Sequence, residues 1–282
     1  MVLEDWLQVL RDASRLGCKS VQFIGGEPSL HPDLGKMVSF AAAEGYDFIE
    51  LYTNATAMTG DLINLLATHN VRVATSFYSA DSAVHDAITT RAGSFGRTVD
   101  GIRSAVAAGL HVRAGLILTA ANANAAEEAG AFLNALGVAD VGLDGVRAIG
   151  RAGDPNGAPS ERDRELCGQC GFKKLCVTSV GSVHPCVFAR HVDLGHVSMG
   201  LREIVGGEPA TAFQRRLVLA HGERRENATY DNGAPHRLTM HDDVNCKPTC
   251  SPGVQFCRPT ASPPSPICAP ACAPSKQTQV AP

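Results

Sequence analysis

Helix stops recur through the first half of this chain at Gly17, Gly45, Asn70, Gly109 and Gly137, 25 to 39 residues apart. A strand, a helix and their connections occupy about 30 residues in a βαβ unit, so this rhythm restricts the chain to a parallel α/β architecture. Residues 3–16 place Leu3, Trp6, Leu7, Leu10, Ala13 and Leu16 at helical spacing, and Gly17 stands where a C′ glycine belongs. Apolar runs predict strands at 20–24, 48–52, 71–77, 111–118 and 138–146, with helices at 32–45, 59–69, 94–109 and 125–137 between them. A long loop is expected after residue 77. The period belongs to βα units and not to a solenoid.

The chain opens on a helix with no strand ahead of it. About four buried side chains of such a strand, at roughly 1.5–3 kcal/mol each, rival the net stability of a domain. The expectation is therefore a start set too late.

Within this frame residues 21–28, Val-Gln-Phe-Ile-Gly-Gly-Glu-Pro, form an apolar strand running into two glycines, an acid and a proline. Gly25 and Gly26 leave the backbone bare for close approach by a ligand. Glu27 adds a carboxylate able to hold a cationic amine, and Pro28 stiffens the exit. Loops at the carboxyl ends of parallel strands are where α/β folds bind ligands. The same four residues recur at Gly206-Gly207-Glu208-Pro209, but after a helical stretch. That copy reads as one helix ending and another starting.

A formal charge of −3 argues against nucleic acid or an anionic membrane as partner. No apolar run approaches the ~20 residues of a membrane helix. Residues 1–6 lack the basic start of a signal peptide, which predicts a cytoplasmic protein. Only Cys18 lies in the first 166 residues, whereas nine cysteines lie between Cys167 and Cys272. In a cytoplasmic chain that clustering points to metal before disulfides. Cys18 itself reads as a small buried hydrophobe. His31, His85 and His184 lie near turns and read as surface residues, and Arg215-Arg216 and Arg224-Arg225 as solvated helix faces.

The periodicity fades after Arg147. Residues 1–150 are expected to form the α/β domain, 151–166 a linker, 167–272 a small Cys-rich domain and 273–282 a disordered tail. A hairpin around Gly181-Ser182 is expected from residues 177–183 and 186–189, and helix over 198–219 with a break near Gly206. Prolines and cysteines are so dense after Cys246 that only metal or bridges could order residues 246–272.

The order of these motifs resembles the radical S-adenosylmethionine (radical SAM) family, in its subgroup with a C-terminal SPASM domain, over residues 3–272. The resemblance implies a partial (β/α)6 TIM-like barrel lacking its first strand, followed by a small iron–sulfur domain. Gly25, Gly26, Glu27 and Pro28 match the family loop that binds the methionine amino group. Thr53-Asn54-Ala55 stands for a Thr-Asn-Gly strand end, its glycine replaced. Ser76 matches a serine near the ligand carboxylate, and Arg91, in the loop resembling residues 85–95 of this chain, is a further carboxylate contact. Cys167 or Cys170, Gly181 and Cys186 fit the first half of the SPASM pattern, and Cys246, Cys250, Cys257, Cys268 and Cys272 form a looser second half. With Cys176, these nine thiols suffice for two [4Fe-4S] clusters by the resemblance. Zinc is the competing chemistry, because Cys167-x-x-Cys170 is also half a zinc knuckle.

The family's Cys-x-x-x-Cys-x-x-Cys precedes its first helix, and residues 1–17 contain no cysteine. Without that cluster, three or four polar contacts at roughly 1 kcal/mol each give affinity for the cofactor no better than about millimolar. The resemblance implies an enzyme that abstracts hydrogen from a peptide or protein substrate, with a ferredoxin or flavodoxin as electron donor. The expectation for this chain alone is clusters without cleavage product. Two other readings stay open: a catalytically dead paralogue that binds a precursor peptide, and a zinc-binding interaction module on an α/β scaffold.

Overall fold

Residues 1–146, 163, 166 and 168–221 are described by the computed structural model. In the first segment α1 (Leu3–Arg15) leads into β1 (Ser20–Phe23), α2 (Leu34–Ala43), β2 (Phe48–Tyr52), α3 (Gly60–Thr68) and β3 (Arg72–Phe77). There follow α4 (Ser82–Thr89), α5 (Ser94–Ala107), β4 (Val112–Leu118), α6 (Ala126–Ala135) and β5 (Asp140–Gly145). All neighbouring strands are parallel and their order is β1-β2-β3-β4-β5. This is the parallel α/β architecture that the spacing of helix stops predicts, with helix α1 ahead of β1.

Successive strand residues point to opposite faces, and here the two faces differ chemically. Ile49, Leu51, Val73, Phe77, Ala114 and Leu116 are buried together with Val38 and Ala41 of α2, Leu66 of α3, Ile102 of α5 and Leu133 of α6. The intervening positions, Gln22, Glu50, Tyr52, Ser76 and Arg113, carry polar groups to the other face. Thr59 caps α3 as expected, its hydroxyl accepting from the Leu62 N–H at 3.3 Å. Cys18 is 3% exposed within the core.

The expected long loop after β3 contains α4. Its start is fixed by Asp81, whose carboxylate accepts the N–H groups of Ala83 and Val84 at 2.7 and 3.0 Å. The helix has eight residues, and the one it buries is His85 instead of an apolar stripe, which is why periodicity misses it. A 3-10 turn at Pro28–Leu30 also precedes α2, which begins two residues later than Pro32.

In the second segment β6 (Cys176–Val177), β7 (Ser182–His184) and β8 (Gly195–His196) form an antiparallel sheet in that order. The hairpin turn does fall at Gly181, but its partner strand lies before the turn, and residues 186–189 are not a strand. Gly181 has φ +84°, and a Cβ there would meet His196 Nε2 at 2.3 Å, so glycine is required. Helices α7 (Leu201–Gly206) and α8 (Glu208–His221) follow, broken at the second Gly-Gly-Glu-Pro as expected. α7 packs on α1 and so joins the two segments. Among the described residues no helix is long and apolar enough to cross a membrane.

Candidate functional site

Gly25 and Gly26 follow β1 directly, both exposed, with φ of +105° and +48°. No atom lies within 4 Å of where a Cβ would stand on either, so the backbone there is open to a ligand. Glu27 holds the loop together. One carboxylate oxygen accepts from the Ser29 N–H at 3.1 Å and from the Thr53 hydroxyl, and the other accepts from the Asn54 N–H at 2.7 Å. The tip of β1 and the end of β2 are thereby one unit.

Thr53 is 2% exposed and Asn54 is exposed. Ala55, at the position of the family glycine, takes φ +57°, the left-handed conformation glycine favours. Helix α5 supports it from below. Thr98 Oγ1 donates to the Asn54 carbonyl at 3.0 Å, and a Cβ on Gly101 would stand 1.9 Å from the Ala55 oxygen. Only glycine lets the helix come so close.

Ser76 sits one strand further along and shares a 2.9 Å hydrogen bond with the Tyr52 hydroxyl. Beneath this pair Arg113 donates two bonds to Glu50, at 2.6 and 2.7 Å, and Gln22 donates a third. The Arg113 guanidinium also lies 5.7 Å from the Tyr52 ring centroid. Burial works against the Arg113 charge, but its bonds to and attraction by Glu50 outweigh it and hold the guanidinium pKa above its ordinary value. The structure therefore brings together Gly25, Gly26, Glu27, Pro28, Thr53 and Asn54, and links Ser76 to them through Tyr52, the neighbour of Thr53. Arg91 is exposed on the turn between α4 and α5. Sequence reasoning missed Gln22, Glu50, Tyr52 and Arg113, whose signal was polar residues at every second position of otherwise apolar strands.

His85 is not a surface residue. It is 1% exposed among the rings of Phe77, Tyr78 and Phe95, with centroids 5.1 to 5.6 Å away. Its Nδ1 is 3.3 Å from Ser94 Oγ, and Nε2 has no partner. Asp86 beside it accepts the N–H groups of Gly93 and Phe95 and the Ser94 hydroxyl, which fixes the start of α5. Burial holds the His85 imidazole pKa below its ordinary 6.5, against the pull of Asp86. The folded chain thus binds this proton less readily than the unfolded chain. The stability neutral His85 contributes is complete above pH about 6.5 and falls as pH drops below it. The urea midpoint of the wild type is expected to fall between pH 7.5 and 5.5, with a flatter profile for His85→Gln. Identical slopes would mean that His85 titrates alike in both states.

In the second segment Cys170 and Cys186, 1% and 5% exposed, bring their sulfurs within 2.8 Å of each other. Between the two cysteines offered by the sequence, Cys170 is the one that the structure places beside Cys186; Cys167 lies outside the described residues. Cys176 is half-buried, and burial pushes its thiol up although Arg190 pulls it down. Cys246, Cys250, Cys257, Cys268 and Cys272 lie outside the described residues, as do Arg224-Arg225, most of the linker and the tail. Among the described residues no three ligand-forming side chains are gathered into a metal site. The buried thiol pair fits part of a thiolate site. Two thiolates on one tetrahedral ion at about 2.3 Å lie roughly 3.8 Å apart, so loading would part them.

His184 is also buried, its Nδ1 2.7 Å from the Val192 carbonyl. Arg216 pairs with buried Asp163, which also takes His191 at 3.0 Å. Its helix face is therefore not simply solvated.

An open glycine pair at the tip of a parallel strand, with a buried thiol pair in the second segment, defines an α/β cofactor-binding protein carrying a second, thiolate-bearing segment. Residues 1–128 match the model of the radical SAM superfamily, and residues 167–229 match SPASM, an iron–sulfur cluster-binding domain. The first segment thus carries the radical SAM match and the second the SPASM match. It is 32% identical over 125 residues to PqqA peptide cyclase of Streptomyces rochei, covering 43% of this chain and 33% of that protein. It is 23% identical over 224 residues to the antilisterial bacteriocin subtilosin biosynthesis protein AlbA of Bacillus subtilis (strain 168), covering 68% of this chain and 50% of that protein. The chain thus spans about a third to a half of these relatives. Among solved structures it resembles Streptococcus suis SuiB bound to S-adenosylmethionine, with a TM-score of 0.60 at 14% identity over 75% of this chain and 60% of that one. It also resembles native anSMEcpe with bound AdoMet, with a TM-score of 0.58 at 14% identity over 76% and 74%. At these identities the likeness is one of fold.

Proposed function

We propose that this chain belongs to a peptide- or protein-maturing radical SAM protein that binds S-adenosylmethionine on the first segment and [4Fe-4S] clusters on the second. The observation that carries the reading is the glycine loop after β1, open at Gly25 and Gly26 and tied through Glu27 to Thr53 and Asn54. The open backbone takes the ligand's amino group, and Ser76 takes its carboxylate. Bound and reductively cleaved, the cofactor supplies a carbon radical that removes a hydrogen atom from substrate. The chain's own residues orient the cofactor: Glu27 fixes the loop, Pro28 stiffens it, and Thr53 and Asn54 hold its neighbour in place. Cys170, Cys176 and Cys186, with Cys167 and Cys246, Cys250, Cys257, Cys268 and Cys272, are the thiolates for the auxiliary clusters.

Peptide as substrate rests on analogy with a PqqA peptide cyclase and a subtilosin biosynthesis protein. A ferredoxin or flavodoxin as electron donor and a cytoplasmic location complete the reading. The competing reading is a single zinc ion held by thiolates, since a buried thiol pair supplies ligands to either metal.

Anaerobic reconstitution with iron and sulfide, followed by a metal count and a visible spectrum, separates the two. About four irons per cluster with broad visible absorption are expected. Colourless, iron-free protein that takes up stoichiometric zinc would overturn the iron–sulfur reading. Reductant and S-adenosylmethionine are then added, and 5′-deoxyadenosine distinguishes an enzyme from a binding protein.

A further inference from the structure

Beneath the glycine loop the polar face of the sheet holds an uninterrupted series of contacts that ends at Ser76. Gln22 and Arg113 both donate to Glu50, whose side chain is 3% exposed. Glu50 thereby fixes the guanidinium near the Tyr52 ring, 5.7 Å from its centroid. The Tyr52 hydroxyl meets Ser76 Oγ at 2.9 Å.

Geometry alone allows either hydroxyl to donate, but the chemistry selects one. A phenol is a far stronger acid than an aliphatic alcohol. The Arg113 guanidinium, 5.7 Å from the ring centroid, helps to hold the ring in place. With Tyr52 donating, the Ser76 oxygen is an acceptor in this bond, and its own hydrogen is left for another acceptor. There is room for one beside it. In register with Ser76 on β4 is Gly115, and in register with Gly115 on β5 is Gly142, so neither strand sets a side chain at this level, and the neighbouring Ile117 Cδ1 comes no nearer than 3.7 Å to where a Cβ on Gly115 would stand. A Cβ on Gly115 would lie 3.7 Å from Tyr52 Oη, in ordinary contact.

We infer that Tyr52 is a positioning residue that makes Ser76 a one-directional hydrogen-bond donor, selecting a ligand with an anionic group, the carboxylate of S-adenosylmethionine. Glu50 and Arg113 serve this arrangement by helping to hold the ring in place. The inference rests on the cofactor reading above and extends it to a residue that does not itself touch the ligand.

The test measures binding of S-adenosylmethionine and of decarboxylated S-adenosylmethionine, which keeps the amine and lacks the carboxylate, by equilibrium dialysis. Wild type, Tyr52→Phe, Ser76→Ala and the double variant of the full chain are compared. Tyr52→Phe keeps the ring and loses the hydroxyl, and its thermal midpoint checks that it folds. Wild type should prefer the carboxylate-bearing ligand. Each single variant should lose about fivefold in affinity for it, with no change for the decarboxylated one. The double variant should be no weaker than Ser76→Ala, because both act through one contact. If wild type binds S-adenosylmethionine and Tyr52→Phe binds it equally well, or weakens both ligands alike, the positioning role is overturned and the cofactor site stands. If wild type binds neither ligand at concentrations well above millimolar, the cofactor reading fails and the inference with it.

Discussion

Replacing Arg113 by alanine is expected to destabilise the chain by about 3–5 kcal/mol, read as a fall in the urea midpoint at unchanged slope. Glu50 and Arg113 have side chains 3% and 18% exposed and share two hydrogen bonds. Removing the guanidinium leaves a carboxylate inside the sheet with the amide of Gln22 as its remaining partner among the described residues. An uncompensated buried charge is far more costly than the net worth of the pair. The double replacement Glu50→Leu with Arg113→Met is therefore expected to be milder than Arg113→Ala alone, since it removes the charge and keeps the volume. A loss below about 1 kcal/mol for Arg113→Ala would show that water reaches Glu50 and that the pair behaves as a surface one.

The second large effect concerns iron. Cys186→Ala is expected to remove about four irons per chain, one whole cluster, from anaerobically reconstituted protein, with loss of the matching visible absorption. Cys170→Ala should do the same, because the two sulfurs are 2.8 Å apart. Cys18→Ser is the control. That thiol is buried in the core of the first segment, and its replacement should leave the iron count unchanged. Full iron retention in Cys186→Ala would remove the pair from the cluster site.

The frame of the molecule was legible because it follows local rules. Glycine and asparagine after each helix, and apolar runs between them, placed all five strands of the parallel sheet and the helix that precedes them. What escaped was set by tertiary contact. His85 lies near a turn in sequence, yet Phe77, Tyr78 and Phe95 close over it. Arg216 looks like half of an exposed basic pair until Asp163, 53 residues away, reaches it. The loop of residues 25–28 was readable from its own letters. The polar floor under it was not, because Gln22, Glu50 and Arg113 meet only when four strands are laid side by side, with β3 between Glu50 and Arg113.

Glu27 has one more consequence. A carboxylate has about four acceptor positions, and three are already taken by Ser29, Thr53 and Asn54. An incoming ammonium can add a fourth bond without breaking any of those three. The cradle is thus built before its guest arrives, and the entropy of ordering two loops is spent in folding and not at the moment of capture.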